Sequence, residues 1–324
     1  MDDRAPLVFV GGITFDSIAA VAHYPAPDER IVADTVVHAG GGPAATAAVA
    51  AARLGATGVC FVGAVGEDQQ GDQLVAGLAR EGVDVAGVVR VAGAVTGSSV
   101  AVVDASAGTR AICARPGPTL ELDPRAADLV HAGRWVHVDH VGWAAVTATL
   151  DPVAHQHRPR LSVDVSYPVP GFRVAGVDLY VPALASLAAT YPDVTVVKPS
   201  TDGGQPTGTD ALLAAVLADG ARCVVATRGA DGCVAATAAG DRYTTAGYTV
   251  DALSTLGAGD VFHGALLAAV DRGDPLIDAM TYANVVAALS CRGLDGRSAI
   301  PSHAETMTAL GTHTSSARPP APTR

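Results

Sequence analysis

Short apolar runs alternate with Ala-rich stretches of helical length along most of the chain, and this alternation restricts the folds open to it. Stretches such as 43–54 and 70–80 follow apolar runs and stop at or near a glycine. Strands that alternate with helices are typical of a parallel sheet covered by helices. The sequence therefore predicts an α/β fold with a central, mostly parallel sheet. The core strands predicted in this way lie at 7–10, 59–62, 135–139, 161–165, 194–197 and 223–227.

Strand-like segments without intervening helices interrupt this pattern twice. Residues 18–24 and 30–37 are separated by a Pro-containing turn, and 85–91, 98–103 and 109–113 follow one another with a Gly-containing turn before the last. Consecutive strands joined by short turns are typical of antiparallel pairing. We therefore expect a small β-sheet lid, inserted at about residues 18–38 and 85–115, beside the main sheet.

The chain has 324 residues and no convincing linker, which favours one domain over residues 1–312. Residues 313–324 lack an apolar face, and this composition predicts a disordered tail. No segment is apolar for long enough to cross a membrane, and the first residues differ from a secretory signal. Five scattered cysteines favour buried thiols over disulfides. We expect a cytoplasmic protein.

Charge and lysine content exclude several functional classes. The formal net charge is −11, from 21 basic and 32 acidic residues, which argues against a nucleic-acid-binding surface. Lys198 is the only lysine, and no Gly-Lys-Ser/Thr phosphate loop is present. A small-molecule substrate is therefore favoured.

The segment 254–267 joins a turn of small residues to a carboxylate at the start of an apolar helix. Gly257, Ala258 and Gly259 leave their backbone N–H groups unobstructed, and N–H groups at a helix N-terminus attract anions. Asp260 would be repelled by a bound phosphate unless it faced another group, such as a substrate hydroxyl. We therefore interpret Asp260 as a candidate general base and residues 257–259 as an anion hole.

The same segment resembles the C-terminal signature of the ribokinase-like, or pfkB, carbohydrate kinase family, which reads Asp-Thr-x-Gly-Ala-Gly-Asp. Ser254 replaces the first Asp of that signature. The resemblance covers about residues 7–310. It implies a ribokinase-like three-layer α/β/α fold with a β lid, and ATP-dependent phosphorylation of a hydroxymethyl group of a small sugar, with Mg²⁺ as the metal. The lids of many relatives pair between subunits, which implies a homodimer.

The family resemblance also assigns binding residues. Thr46 stands where the family usually has Asn, and residues 225–232 resemble its T-x-G-x-x-G nucleotide turn. An Asn-x-x-Glu motif is not recognisable near Lys198, so no metal ligand is predicted. The predicted sugar-binding residues are Asp16, Gly41, Gly42, Thr46, Arg30 and Arg110. The predicted nucleotide-binding residues are Lys198, Thr227, Gly229, Gly232 and Asn284.

Two blocks, 40–56 and 257–266, are similar to sulfofructose kinases, which implies a ketohexose or an anionic derivative of one. In that alignment Arg30 keeps a basic residue on the lid, whereas Ala114 and Gly142 occupy two sulfonate-facing positions. Arg110 or Arg115 lies near enough in sequence to replace them.

Other functions remain open. A nucleoside kinase of the same fold would need aromatic stacking for the base, and only 4% of the residues are aromatic. A sugar-binding regulator without phosphoryl transfer would explain the missing Asn-x-x-Glu motif. The absence of GxGxxG disfavours an NAD-dependent oxidoreductase. Strand alternation separates the side chains of 137 and 139 from that of 140, which disfavours a metal cluster there.

Overall fold

The computed structural model describes residues 6–104, 106, 109–151, 158–165, 169–191 and 208–316. The predicted strand 194–197 and Lys198 lie outside these residues. The strands are β1 (Leu7–Val10), β2 (Thr14–Val21), β3 (Thr35–Gly41), β4 (Val59–Gly66), β5 (Asp84–Val91), β6 (Ser98–Asp104), β7 (Thr109–Arg115), β8 (Trp135–Val138), β9 (Arg160–Val163), β10 (Leu179–Tyr180), β11 (Cys223–Thr227), β12 (Cys233–Thr237) and β13 (Arg242–Thr245). The helices are α1 (Pro43–Arg53), α2 (Gln69–Arg80), α3 (Pro124–Ala132), α4 (Trp143–Leu150), α5 (Leu184–Thr190), α6 (Gly208–Ala218), α7 (Ala258–Arg272), α8 (Leu276–Ser290) and α9 (His303–Ser316).

A nine-stranded sheet forms the centre of the molecule, in the order β13-β12-β11-β10-β9-β8-β1-β4-β5. The seven strands from β11 to β5 in this order pair in parallel, whereas β12 pairs antiparallel with both β11 and β13. Alternate residues of β1 enter different cores: Leu7 and Phe9 pack with helices α1, α7 and α8, whereas Val8 and Val10 pack with α3, α4 and α6. Helices on both faces make the three-layer α/β/α arrangement that was predicted.

A separate four-stranded sheet, in the order β3-β2-β6-β7, forms the lid. Its inner face buries Ile18 and Ala101 against Leu294. Its outer face exposes apolar side chains, with Val36 60% and Val100 55% exposed. The lid therefore has one face packed against the main domain and one apolar face that the described residues do not cover.

Two boundaries of the predicted lid and tail differ from the structure. Residues 85–91 were expected in the lid, but β5 pairs in parallel with β4 at the edge of the large sheet. Helix α2 between the two strands makes the crossover that parallel pairing requires, and the strand-like composition of β5 is the same for either sheet. The last helix continues past the predicted tail boundary to Ser316. No helix within the described residues is long and apolar enough to cross a membrane.

The carboxyl ends of the parallel strands carry the polar residues of the molecule's centre. Gly11 and Gly12 follow β1, Asp139 follows β8, and Asp164 follows β9. Neighbouring parallel strands end at the same edge of a sheet, so these residues lie together. This edge faces the lid, because Gly12 at the edge lines the same cavity as Asp16 and Ser99 of the lid.

Candidate active site

The turn at Gly257–Gly259, called here the anion turn, opens helix α7. Gly257 is the N-cap residue with a left-handed φ of 73°, and a Cβ there would lie 2.8 Å from the Cα of Gly296. Glycine is therefore required by both conformation and space. The N–H of Ala258 donates to the carbonyl O of Thr255 at 3.3 Å, which leaves Gly259 and Asp260 as the first N–H groups that point out of the helix end.

Asp260 lies in the first turn of α7 and lines a cavity of about 510 Å³, called here the larger cavity because it is the larger of the two that meet at the anion turn. Burial raises the pKa of its carboxyl well above the usual 3.8, and repulsion from the Asp164 and Asp139 carboxylates raises it further. The charges of Arg297 and Arg110 act in the opposite direction. A carboxylate with a raised pKa accepts a proton more readily, which suits a general base.

The larger cavity lies between the lid and the carboxyl edge of the main sheet. Of the six predicted sugar-binding residues, it brings together four with Asp260: Asp16, Gly41, Gly42 and Thr46. Oδ1 of Asp16 accepts a hydrogen bond from Oγ of Ser99 at 2.8 Å, so two lid strands hold this carboxylate. Thr46 is 2% exposed in the first turn of α1.

The two lid arginines predicted for the sugar lie elsewhere. Arg30 is exposed in the segment between β2 and β3 and does not line the cavity. Arg110 also lies outside the cavity lining, and its Nη1 donates to Oγ1 of Thr255 at 2.7 Å. Arg115 does line the cavity, and its Nη2 donates to the carbonyl O of Thr96 at 2.8 Å. The register of the lid strands places Arg110 on the same face as Asp16 and Ser99, so strand alternation alone would have favoured Arg110 over Arg115.

Asp139 organises the edge of the sheet beneath the cavity. Its Oδ2 accepts from the N–H groups of Gly12 at 2.7 Å and Ala44 at 3.1 Å. Its Oδ1 accepts from the N–H groups of Val141 at 2.8 Å and Gly142 at 3.1 Å. One buried carboxylate thus supports the starts of α1 and α4 and the glycine turn after β1, although burial raises its pKa.

A second buried polar cluster lies behind the anion turn. Nε2 of His263 lies 3.4 Å from Oδ2 of Asp164, and the His137 and His263 rings lie 5.3 Å apart. Nδ1 of His137 contacts Oγ of Ser162 at 3.0 Å. Burial lowers the pKa of both histidines to about 3, so both are neutral at physiological pH. Among the described residues, no group of three or more His, Cys, Asp or Glu side chains has the arrangement of a metal site.

A smaller cavity, of about 330 Å³, lies on the other side of the anion turn. It brings together four of the predicted nucleotide-binding residues, Thr227, Gly229, Gly232 and Asn284, and Ala258 and Gly259 of the anion turn also line it. Nδ2 of Asn284 donates to Oγ1 of Thr245 at 2.7 Å, so this amide is held by β13. The fifth predicted residue, Lys198, lies outside the described part of the chain.

The structure adds Arg297 to the residues predicted for the sugar site. Its Nη2 donates to the carbonyl O of Gly41 at 2.7 Å, and its Nε donates to Oγ1 of Thr46 at 3.1 Å. No local sequence signal indicated this residue, since it follows the last core helix in an ordinary turn. Asp139 carried a weak signal, because an Asp directly after a buried strand and before a helix start commonly caps backbone N–H groups.

Several known proteins are similar to this chain in sequence and in fold. The chain is 26% identical to a ribokinase from Haemophilus influenzae, over 94% of this chain and 98% of the relative. It is 28% identical to fructokinase-1 from Oryza sativa, over 85% of this chain and 89% of the relative. The structure of Arabidopsis thaliana ribokinase complexed with ribose and ATP superposes with a TM-score of 0.78 at 21% identity, and covers 95% of this chain and 99% of that one.

A match to one family covers most of the chain. Residues 5–303 match the pfkB family of carbohydrate kinases, a range that includes the lid, both cavities and the anion turn. The protein therefore belongs to the pfkB carbohydrate kinase family and is an ATP-dependent sugar kinase.

Proposed function

We propose that the protein transfers the γ-phosphoryl group of ATP to a hydroxymethyl group of a ketohexose or of an anionic derivative of one. The observation that carries this proposal is the shared boundary of the two cavities. Gly257 and Asp260 line the larger cavity, whereas Ala258 and Gly259 line the smaller one. A sugar and a nucleotide bound in these cavities would meet at the anion turn.

In this mechanism Asp260 accepts the proton of the sugar hydroxyl. The hydroxyl oxygen forms a bond to the γ-phosphorus, the bond to the β–γ bridging oxygen breaks, and ADP leaves with that electron pair. The N–H groups of Gly259 and Asp260, at the start of α7, would hold the phosphoryl oxygens as their charge redistributes. The rigid strands and helices around the cavity would supply most of the rate by positioning.

The site fits the Mg²⁺ ion that ATP brings. The carboxylates of Asp164 and Asp260 repel each other, which contributes to the raised pKa of Asp260. A divalent cation held by the phosphates at this edge would relieve that repulsion, and Mg²⁺ needs only one or two protein carboxylates beside phosphates and water. Asp164 is the carboxylate whose charge acts most strongly on Asp260, and the ion would neutralise phosphate charge.

Arg115 supports an anionic sugar. It is the arginine that lines the larger cavity, whereas Arg30 and Arg110 lie outside that lining. Its guanidinium is a suitable donor to a sulfonate or phosphate group. The similarity to both a ribokinase and a fructokinase keeps neutral pentoses and ketohexoses among the candidate substrates.

A nucleoside is the second candidate acceptor, and the larger cavity disfavours it. None of the described residues that line this cavity is Phe, Tyr or Trp, so the stacking partner that a nucleobase prefers is not provided there. A regulator that binds sugar without transfer is the third candidate. The Asp260 carboxylate at the shared boundary favours transfer over simple binding.

We also propose a homodimer in which the outer faces of two lids meet. The exposed side chains of Val36 and Val100 on that face support this arrangement. Contact between lids would remove this apolar surface from water and would hold each lid over its larger cavity.

A screen of ATP consumption tests the proposed function. The acceptors would be fructose, sulfofructose, fructose phosphates, ribose and nucleosides, each with purified protein and Mg²⁺. Asp260→Asn should lower kcat by about 1,000-fold or more while sugar and ATP still bind. Near-normal turnover in that variant would remove Asp260 from the mechanism, and sugar binding without ATP consumption would favour the regulator.

A further inference from the structure

The side chain of Arg297 contacts two residues of the larger cavity that lie 256 and 251 positions before it in the sequence. Its Nη2 donates to the carbonyl O of Gly41 on the lid, and its Nε donates to Oγ1 of Thr46 on α1. Gly41 and Thr46 both line the cavity. One guanidinium therefore holds both the end of lid strand β3 and the first turn of helix α1, which Gly42 connects, where a sugar would bind.

The bond to Thr46 determines what its hydroxyl offers to a ligand. A hydroxyl has one hydrogen to donate and two lone pairs to accept with. Because Arg297 donates to the oxygen, the hydroxyl hydrogen stays available for an acceptor such as a sugar oxygen. Thr46 is thus presented as a donor toward the cavity.

Arg297 also brings positive charge to this side of the cavity. Burial lowers its pKa to about 10, so the guanidinium stays charged at neutral pH, supported by Asp16, Asp260, Glu81 and Asp295. The charged groups that act most strongly on Asp260 are Asp164 after β9, Asp139 after β8, Arg297 and, from the lid, Arg110. Arg297 and Arg110 are the two cations in this set, and Arg297 is the one bonded to residues of the cavity.

The surroundings hold Arg297 in one position. Nη1 of Arg53 donates to its carbonyl O at 2.7 Å, and Arg53 is itself paired with Glu81 through two bonds of 2.7 Å. Oδ1 of Asp295 accepts from the backbone N–H of Arg297 at 2.7 Å. At Gly40 a Cβ would lie 2.6 Å from Nη1 of Arg297, so the absence of a side chain there makes room for the guanidinium. A side chain held from several directions is a precise support for a binding site.

We propose that Arg297 is a positioning and specificity-determining residue of the sugar site. It aims the Thr46 hydroxyl and the Gly41 backbone at the sugar, and its charge balances Asp16 and Asp260. This inference rests on the proposed function, because it assumes that the larger cavity holds the sugar and that Asp260 is the base.

Two substitutions separate these two roles. Arg297→Met removes both the hydrogen bonds and the charge. It should raise KM for the sugar about tenfold, leave KM for ATP within about twofold, and move the acidic limb of the kcat profile to higher pH, because the pKa of Asp260 loses an opposing charge. Arg297→Lys keeps the charge but cannot make the same pair of bonds. It should restore the pH profile and leave the sugar KM raised.

Two further variants test the contact with Thr46 and provide a control: Thr46→Val and Arg80→Met. Thr46→Val should raise the sugar KM in the otherwise unchanged protein and add little to Arg297→Met, since the two residues act as a unit. Arg80 and Arg297 line the same groove, and neither lines the larger cavity, but Nε of Arg80 donates to the carbonyl O of Ala76 on its own helix and not to a residue of that cavity. Arg80→Met should therefore leave KM, kcat and the pH profile unchanged.

An unchanged sugar KM and pH profile in Arg297→Met would overturn the proposal. So would equal increases in both KM values together with a lowered Tm, which would mark Arg297 as a residue that only stabilises the fold. Should the unmodified protein phosphorylate none of the sugars, the proposed function fails separately. In that case the role of Arg297 is tested by thermal unfolding. Added sugar should raise the Tm of the unmodified protein and of Arg80→Met, but not that of Arg297→Met. No increase with any sugar would reject both proposals.

Discussion

The carboxylate of Asp16 occupies the space where a side chain at Gly41 would start. A Cβ built on Gly41 would lie 1.8 Å from Oδ2 of Asp16 and 2.9 Å from Oγ1 of Thr14. The two strands that carry these residues are paired through their backbones, so neither residue can move away alone. Gly41 is therefore a glycine because of its neighbour on the adjacent strand.

Gly41→Ala should displace Asp16 and lower kcat/KM for the sugar by about 100-fold, since a shift of about 1 Å in a positioning group has effects of this size. KM for ATP should change little. Steady-state kinetics would measure both. Gly311→Ala is the control, because a Cβ there has no atom within 4 Å, and kinetics as poor as those of Gly41→Ala would refute the steric explanation.

The raised pKa of Asp260 predicts how activity and stability depend on pH. Activity should fall as pH decreases through this pKa, because the base becomes protonated, and the acidic limb should lie well above 3.8. The folded state holds this proton more tightly than the unfolded state does, so this group's contribution to stability is lost as pH rises between the two pKa values. At neutral pH Asp260→Asn should consequently unfold at the same or a higher temperature, as calorimetry would show. A lower Tm would contradict this reasoning.

Asp139→Ala should destabilise the fold strongly. It removes the acceptor of four backbone N–H groups, those of Gly12, Ala44, Val141 and Gly142. We expect a loss of about 3 kcal/mol or more in the free energy of unfolding, measured with urea. Asp72→Ala breaks the exposed Arg90 pair instead and should cost less than about 1 kcal/mol. Similar losses of unfolding free energy in both variants would show that the four hydrogen bonds to Asp139 stabilise the fold no more than an exposed ion pair does.

The bond between Arg110 and Thr255 predicts a contribution of the lid to catalysis. Arg110→Met removes a 2.7 Å contact between β7 and the segment before the anion turn. We expect kcat/KM to fall by about tenfold, because the lid closes less firmly over the site. Thr255→Val should have a similar effect, and the double variant should be little worse than either single variant. Additive losses would mean that the two residues act independently. Arg90→Met, at an exposed position of β5, is the matched control.

The proposed homodimer predicts a solution mass of twice 32.3 kDa. Val100→Lys places a charge on the outer face of the lid and should shift the mass toward that of the monomer, as light scattering after size exclusion would show. Met307→Lys, at a 50% exposed position of α9, should leave the mass unchanged. A monomeric unmodified protein would reject the dimer.

The strand–helix rhythm and the anion turn could be predicted because each depends on residues close in sequence, whereas the two sets of binding residues were assigned by the family resemblance. Apolar periodicity determines whether a segment suits a strand or a helix, and small residues before a helix determine its N-terminus. The position of β5 could not be predicted, since the same run of Asp84–Val91 suits an antiparallel lid or a parallel edge.

The sequence by itself determined the α/β architecture and the candidate base Asp260 in its turn. Only the tertiary structure decided which polar groups support them. Asp139 meets Gly12 across 127 residues, and Arg297 meets Thr46 across 251 residues. The physical reason is that a buried donor or acceptor must find a partner in space, and the packing of distant elements determines which one it finds.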